Sequence, residues 1–321
     1  VARLIRVRPF EDPGYRRVRS GSGFRYIDHR GLPAPSQDAE RAHALVIPPA
    51  WSEVWISRAE RGHIQAVGTD DAGRRQYLYH PEWSKKRDKG KYARALELAG
   101  ALPRARRRVT QSIRREALDR ERVLAVAFRL LDQVAPRVGS ARYFASNGSR
   151  GLTTLLRRDA EVDGSHVTLS FPAKSGKRAL LELDDEDLAS AVTELAAGRP
   201  RAHLLAYVRG RRRVPLTPGD VNAYVRALTG GSFTAKDFRT LRGTILAAET
   251  LARIGTVDTK TDLKRAELLA VRATAEKLGN TPSVARGSYI DPRVFSLYRR
   301  GQLMELDGSR DAAIRRLILG E

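Results

Sequence analysis

The sequence predicts an α+β protein: a small N-terminal antiparallel β-sheet domain followed by a larger, mainly α-helical domain that carries a three-stranded β-meander. Three observations predict it. The first ninety residues are rich in β-formers, aromatics and turn signals. Apolar positions beyond residue 104 recur at three and four residues, the helical period. A chain of 321 residues is also long enough for two cores. The charged run Ser84-Lys85-Lys86-Arg87-Asp88-Lys89-Gly90-Lys91 breaks the β pattern and reads as a linker, giving domains 1–88 and 89–321.

In the first domain, Ala44-Leu45-Val46-Ile47 and Val54-Trp55-Ile56-Ser57 read as strands either side of the turn Pro48-Pro49-Ala50-Trp51. His63-Ile64-Gln65-Ala66-Val67-Gly68 and Arg75-Gln76-Tyr77-Leu78-Tyr79-His80 read as a hairpin closed by Thr69-Asp70-Asp71-Ala72-Gly73. In the second domain, residues 104–134 form one amphipathic helical stretch with Ile113, Leu118, Val123, Leu124, Ala127, Leu130 and Leu131 on its apolar face. The meander is expected from residues 151–156, 166–171 and 178–183, with Pro172-Ala173-Lys174-Ser175-Gly176-Lys177 as its last turn. Helices resume at Asp184 or Asp185 and at Thr217-Pro218, where an N-cap precedes proline at the first helical position. Further helices are expected over 235–253, 261–278 and 291–299.

Composition narrows the function. Lys and Arg total 59 against 37 Asp and Glu, a formal charge of +22, which points to a polyanionic partner, nucleic acid first. Residues 91–321 hold 42 basic and 26 acidic side chains, so most phosphate contact is expected there. With no cysteine, thiolate metal sites and Cys nucleophiles are excluded. No apolar run approaches the roughly 18 residues of a membrane span, and no acylation motif is present, so no membrane partner is expected and the protein is read as cytoplasmic. The acidic clusters Asp70-Asp71 and Asp184-Asp185-Glu186-Asp187 fit a turn and a helix N-terminus better than a cation site. None of the six histidines forms a ligand pair at helical spacing, and there is no G-x-x-x-x-G-K-[ST] motif. No metal and no cofactor are expected.

One tyrosine stands out against this background. Tyr289 lies in Leu278-Gly279-Asn280-Thr281-Pro282-Ser283-Val284-Ala285-Arg286-Gly287-Ser288-Tyr289-Ile290-Asp291-Pro292-Arg293, where it is a candidate nucleophile for a nucleic-acid phosphate. Cleaving a phosphodiester by transesterification also needs cations on the non-bridging oxygens and an acid for the departing oxygen. Arginine suits the first task because its planar fork binds two oxygens and keeps its charge. Taken singly, each candidate has an ordinary reading: a packed tyrosine, a surface ion pair, a solvated turn lysine.

Lys236-Asp237-Phe238-Arg239-Thr240, Asn280-Thr281-Pro282-Ser283 and Ser288-Tyr289-Ile290 together resemble the catalytic segment of type IB DNA topoisomerases, in the compact poxvirus-like bacterial branch. Upstream, Pro136-Arg137-Val138-Gly139, with Tyr143, Asn147 and Gly151-Leu152-Thr153-Thr154-Leu155, resembles the block that bears that family's first catalytic arginine. The Lys174 turn is similar to its lysine-bearing hairpin. Ile47-Pro48-Pro49-Ala50-Trp51 and Gly73-Arg74-Arg75-Gln76-Tyr77-Leu78-Tyr79-His80 resemble its DNA-facing sheet.

The resemblance implies that Arg137 and Arg239 hold the scissile phosphate, Lys174 protonates the leaving 5′-oxygen, and Tyr289 attacks to leave a 3′-phosphotyrosyl bond. Asn280 stands where much of the family has histidine; it can donate a hydrogen bond but adds no charge and shuttles no proton. Gln76, Tyr77, Tyr79 and Lys236 are further expected DNA contacts. The resemblance implies a nucleoid-associated monomer that relaxes duplex DNA without ATP or metal. Two alternatives stay open at this stage: a tyrosine recombinase, which usually has His-x-x-Arg where Lys236-Asp237-Phe238-Arg239 stands, and a non-catalytic basic DNA-binding protein.

Overall fold

The computed structural model describes residues 3–71, 73–173 and 176–321. The chain divides into two compact units, Val1–Gly90 and Lys91–Glu321. No helix among the described residues is long and apolar enough to cross a membrane.

The first unit is a five-stranded antiparallel sheet, β1 (Gly14–Ser20), β2 (Gly23–Ile27), β3 (Ser52–Ser57), β4 (Ile64–Thr69) and β5 (Arg75–Tyr79), in the order β2-β1-β3-β4-β5, with helix α1 (Ser36–Ala44) between β2 and β3. Alternate residues face two small cores. One gathers Tyr15, Ala42, Ile47, Val54, Ile56 and Ala66; the other gathers Val7, Trp55, Ile64 and Val67. The β4–β5 hairpin pairs Val67 with Tyr77 and Ile64 with Tyr79, as the turn chemistry predicts.

Residues 44–47 are not a strand. Ala44 ends α1, and Val46 has a left-handed backbone with its side chain in solvent. Strands β1 and β2 escape a sequence reading because arginines interrupt their apolar alternation. On β1, Arg17 turns inward and donates to the carbonyls of Ile47 and Pro48, 3.0 Å each, and of Trp51, 2.5 Å.

Residues 84–91 are also not an extended linker. They belong to helix α2 (Pro81–Ile113), because a run of charged residues marks solvent exposure, not chain conformation, and lysine and arginine are good helix formers.

In the second unit α3 (Arg120–Val134) is separate from α2, so the single stretch expected over 104–134 is broken. Asp119 caps α3 by accepting from Arg122 N at 2.8 Å. The buried Arg122 fixes the break by donating to Ile113 O at 2.8 Å and to Glu194. After α4 (Ala141–Asn147) come two single 3₁₀ turns and the meander β6 (Ala160–Asp163), β7 (His166–Pro172), β8 (Arg178–Asp184). Its first strand lies later than the expected 151–156, since residues 152–154 form a 3₁₀ turn.

Helix α5 (Glu186–Ala196) is capped by Asp185. The hairpin of β9 (Ala206–Arg209) and β10 (Arg212–Pro215), which has no counterpart in the sequence reading, follows it. The remaining helices are α6 (Pro218–Thr229), α7 (Ala235–Ile254), α8 (Lys260–Lys277), α9 (Pro282–Ser288), α10 (Pro292–Tyr298) and α11 (Arg310–Leu319). Thr217 caps α6 through Asp220 N at 3.1 Å, with Pro218 at its first position. The core of this unit centres on α3 and α7, with Phe128 and Phe238 edge to face at 5.3 Å.

Candidate active site

Arg137 follows directly from the way α3 ends. Ala135 adopts a left-handed cap (φ 44°) and Pro136 cannot continue the helix, so the chain turns out. The emerging backbone is then tied down: Arg137 O accepts from Leu152 N at 2.8 Å, and Val138 O from Thr153 N at 2.9 Å. The approach is so close that a Cβ on Gly151 would lie 2.5 Å from Arg137 O. The two sequence blocks around Arg137 and Gly151 are thus the two sides of one backbone contact.

Arg239 sits in the first turns of α7, which opens with Thr234 and Asp237 in a reciprocal cap. It is only 5% exposed. Nη1 donates to Ala135 O at 2.6 Å and Nη2 to Leu278 O at 2.7 Å, so one guanidinium joins the ends of α3 and α8. Burial pushes its pKa down, but arginine retains its proton at neutral pH.

Gly279, at φ 60°, turns the chain out of α8, and Asn280 N bonds back to Ala275 O at 2.8 Å. Thr281 then caps α9 with Pro282 at its first position, and Tyr289 closes that helix by donating its N–H to Ala285 O at 3.0 Å.

The Tyr289 ring is 9% exposed, packs on Ala135 and Leu278, and has the Arg239 guanidinium carbon 4.9 Å from its centroid. Burial pushes the phenol pKa up. The charge of Arg239, joined by those of Arg137 and Lys236, outweighs this and leaves it below the ordinary value.

Arg137 Nη2 donates to Asn280 Oδ1 and, at 3.2 Å, to Gly279 O. Arg137, Arg239, Asn280 and Tyr289 are therefore brought together from four separate segments. Two buried donors in the group, Arg239 Nε and Asn280 Nδ2, have no hydrogen-bond acceptor among the described residues. Donors buried without acceptors are costly, so these two leave hydrogen-bonding capacity unused beside Arg137 and Tyr289.

Lys174 lies outside the described residues. Among the described residues on either side, Ala173 N donates to Lys177 O at 2.7 Å. The end of β7 is tied to the segment that supports Arg137 by Arg150 N donating to Pro172 O, also 2.7 Å. Lys236 is exposed at the start of α7. Gln76, Tyr77 and Tyr79 lie on β5 of the first unit. Tyr77 and Tyr79 share a face, stacked with centroids 6.0 Å apart, whereas Gln76 points the other way and donates to Asp70 at 2.8 Å.

A family model described as eukaryotic DNA topoisomerase I, catalytic core, matches residues 80–297, a span that contains the whole Arg137–Tyr289 constellation. A second, bacterial DNA topoisomerase IB, N-terminal domain, matches residues 23–70. The chain belongs to the type IB DNA topoisomerases. It falls in their bacterial, poxvirus-like branch, and it is an enzyme, an isomerase acting on DNA. Among similar proteins, the DNA topoisomerase 1B of Acanthamoeba polyphaga mimivirus is 26% identical over 94% of this chain and 92% of its own length. The DNA topoisomerase 1B of vaccinia virus (strain Copenhagen) is 20% identical over 75% of this chain and 74% of its own. Membership favours the topoisomerase reading over the recombinase and the non-catalytic binder.

In this type IB topoisomerase, two neighbours on α7 escaped the sequence reading. A Cβ on Gly243 would lie 2.7 Å from Tyr289 O and 3.0 Å from Tyr289 Cβ, so only glycine lets the tyrosine backbone come this close. The buried Thr244 hydroxyl lies 3.2 Å from Tyr289 O and accepts from Asp291 N at 3.1 Å. The available signal was a glycine in the middle of an otherwise strong helix, where propensity disfavours it.

Proposed function

We propose that this enzyme relaxes supercoiled duplex DNA by nicking one strand through Tyr289, letting the helix rotate about the intact strand, and resealing. The single observation behind this reading is the pair of unpartnered donors, Arg239 Nε and Asn280 Nδ2, gathered with Arg137 around a tyrosine of lowered pKa.

The Tyr289 phenol gives its proton to solvent and its oxygen attacks the scissile phosphorus, forming a 3′-phosphotyrosyl bond and breaking the bond to the 5′-oxygen. Arg137 and Arg239 meet the charge that builds on the non-bridging oxygens, and Asn280 adds a hydrogen bond. The family resemblance assigns Lys174 to protonate the departing 5′-oxygen, a role that contributes roughly 10²–10⁴-fold in rate. Religation reverses each step, and the phosphodiester to tyrosine conserves the energy of the bond it replaces, so no ATP is consumed. The enzyme acts as a monomer, without a metal. Tyr77, Tyr79 and Gln76 on the β-rich unit and Lys236 at the start of α7 supply sugar, base and phosphate contacts.

Incubation with supercoiled plasmid in EDTA tests this directly. Relaxation by the wild type and none by Tyr289→Phe is the expected result. No relaxation, or relaxation retained by the phenylalanine variant, would overturn it.

A further inference from the structure

Tyr289 stands between two short helices, α9 and α10, each of 7 residues. Helices this short do not hold themselves in place, so their position rests on tertiary contacts. Their inner faces pack through Ala285, Val294, Phe295 and Tyr298. One carboxylate bridges both. The Glu267 carboxylate, on α8 and 6% exposed, accepts Arg286 Nη2 on Oε2 at 3.0 Å and Arg299 Nε on Oε1 at 2.7 Å. Arg286 precedes Tyr289 on α9, and Arg299 closes the end of α10. Arg286 also lies over the Phe295 ring, 4.7 Å from its centroid, linking α9 to α10 directly.

Each oxygen of one buried carboxylate thus holds one of the two segments that flank the tyrosine. A buried ion pair of this kind is a weak source of stability, because desolvation offsets the attraction, but its geometry is demanding. Both arginines are about half exposed, so their charges would be well hydrated without Glu267. What the carboxylate adds is direction.

We propose that Glu267 is a positioning residue for the nucleophile: through Arg286 and Arg299 it fixes α9 and α10 so that the Tyr289 hydroxyl is aimed at the phosphate. This rests on Tyr289 being the nucleophile. Misplacement of a reacting group by an ångström costs on the order of 10²-fold in rate.

The test is single-turnover cleavage of a labelled duplex, with non-covalent affinity for the same duplex measured in a Tyr289→Phe background. Glu267→Gln keeps the shape but presents an amide donor to one arginine. It should slow cleavage about 10- to 100-fold and leave non-covalent affinity unchanged. Arg286→Gln, altered at a half-exposed side chain, should slow cleavage in the same direction, and its effect should not add to that of Glu267→Gln. If Glu267→Gln does not fold, Arg286→Gln carries the test alone. A folded variant of either kind that cleaves at the wild-type rate would overturn the proposal, as would a loss of affinity equal to the loss of cleavage. Tyr289→Phe keeps the two readings apart. A covalent adduct in that variant defeats the nucleophile assignment, whereas its absence beside normal cleavage by Glu267→Gln defeats only the positioning role.

Discussion

The hydroxyl of Thr244 lies 3.2 Å from the carbonyl oxygen of Tyr289, and it also accepts the N–H of Asp291 at 3.1 Å. One buried side chain on α7 therefore touches the backbone on both sides of Ile290 and holds the Tyr289 peptide against the helix that bears Arg239. Thr244→Val keeps the volume but removes the acceptor. Leaving Asp291 N–H buried and unpaired should cost about 1–3 kcal/mol of stability, measured by urea unfolding, and should slow cleavage more than it weakens DNA binding.

Gly243→Ala should reverse the usual sign of that substitution. In an ordinary helix interior alanine gains about 1 kcal/mol over glycine. Here the added methyl meets Tyr289 O at 2.7 Å, and overpacking of this kind costs about 1–3 kcal/mol. A lowered urea midpoint with impaired adduct formation is expected; a stabilised, fully active variant would show that α7 and the tyrosine segment can separate at no cost.

The two arginines should differ in what their loss does. Arg239→Ala leaves the buried carbonyls of Ala135 and Leu278 without donors, so on the order of 2–4 kcal/mol of stability should go with the activity. Arg137 is partly exposed and bonds to Gly279 O and Asn280, so Arg137→Ala should abolish relaxation with a stability change under about 1 kcal/mol. Paired plasmid-relaxation and unfolding measurements on the two variants decide this.

Asn280 presents an acceptor to Arg137 and an unpaired donor to the site. Asn280→Asp retains the acceptor, loses the donor and adds a negative charge where the proposed mechanism seats a phosphate oxygen. Its cleavage rate should fall below that of Asn280→Ala, by tenfold or so at low salt, with the gap narrowing as salt rises. Equal rates would mean that the added charge, and so the local field, is irrelevant to the reaction.

The pH profile follows from the Tyr289 environment. With the phenol pKa held below its ordinary value of 10.0, single-turnover cleavage should rise with pH and level off before pH 10. Lys236→Gln removes one of the positive charges that lower it, so the midpoint should move upward. An acid with a depressed folded pKa adds stability only above its unfolded value and loses it as pH falls through the folded one. Below the folded pKa the phenol is protonated in both states, so this group contributes nothing to stability there.

Much of the fold was legible because its signals are local. Thr217-Pro218 announces a helix start that the structure contains. The β4–β5 hairpin was readable from its turn and alternation. The signals that misled were those in which polarity stood in for conformation. The charged run 84–91 is helical, and the arginine-bearing β1 is a strand in which Arg17 finds backbone carbonyls that no local pattern foretells.

By itself the sequence determined which residue types are available, the order in which Arg137, Arg239, Asn280 and Tyr289 occur, the strong positive charge and the absence of cysteine. Only the tertiary structure decided that Arg239 is a buried brace between α3 and α8 as well as a cation beside Tyr289. The same holds for Gly243 and Thr244, which seat the tyrosine, and for Glu267, which holds the helices around it. The reason is physical: helix caps and strand alternation act between near neighbours. Burial, close backbone approach and the fate of a buried donor depend instead on which distant segments the packed core brings together.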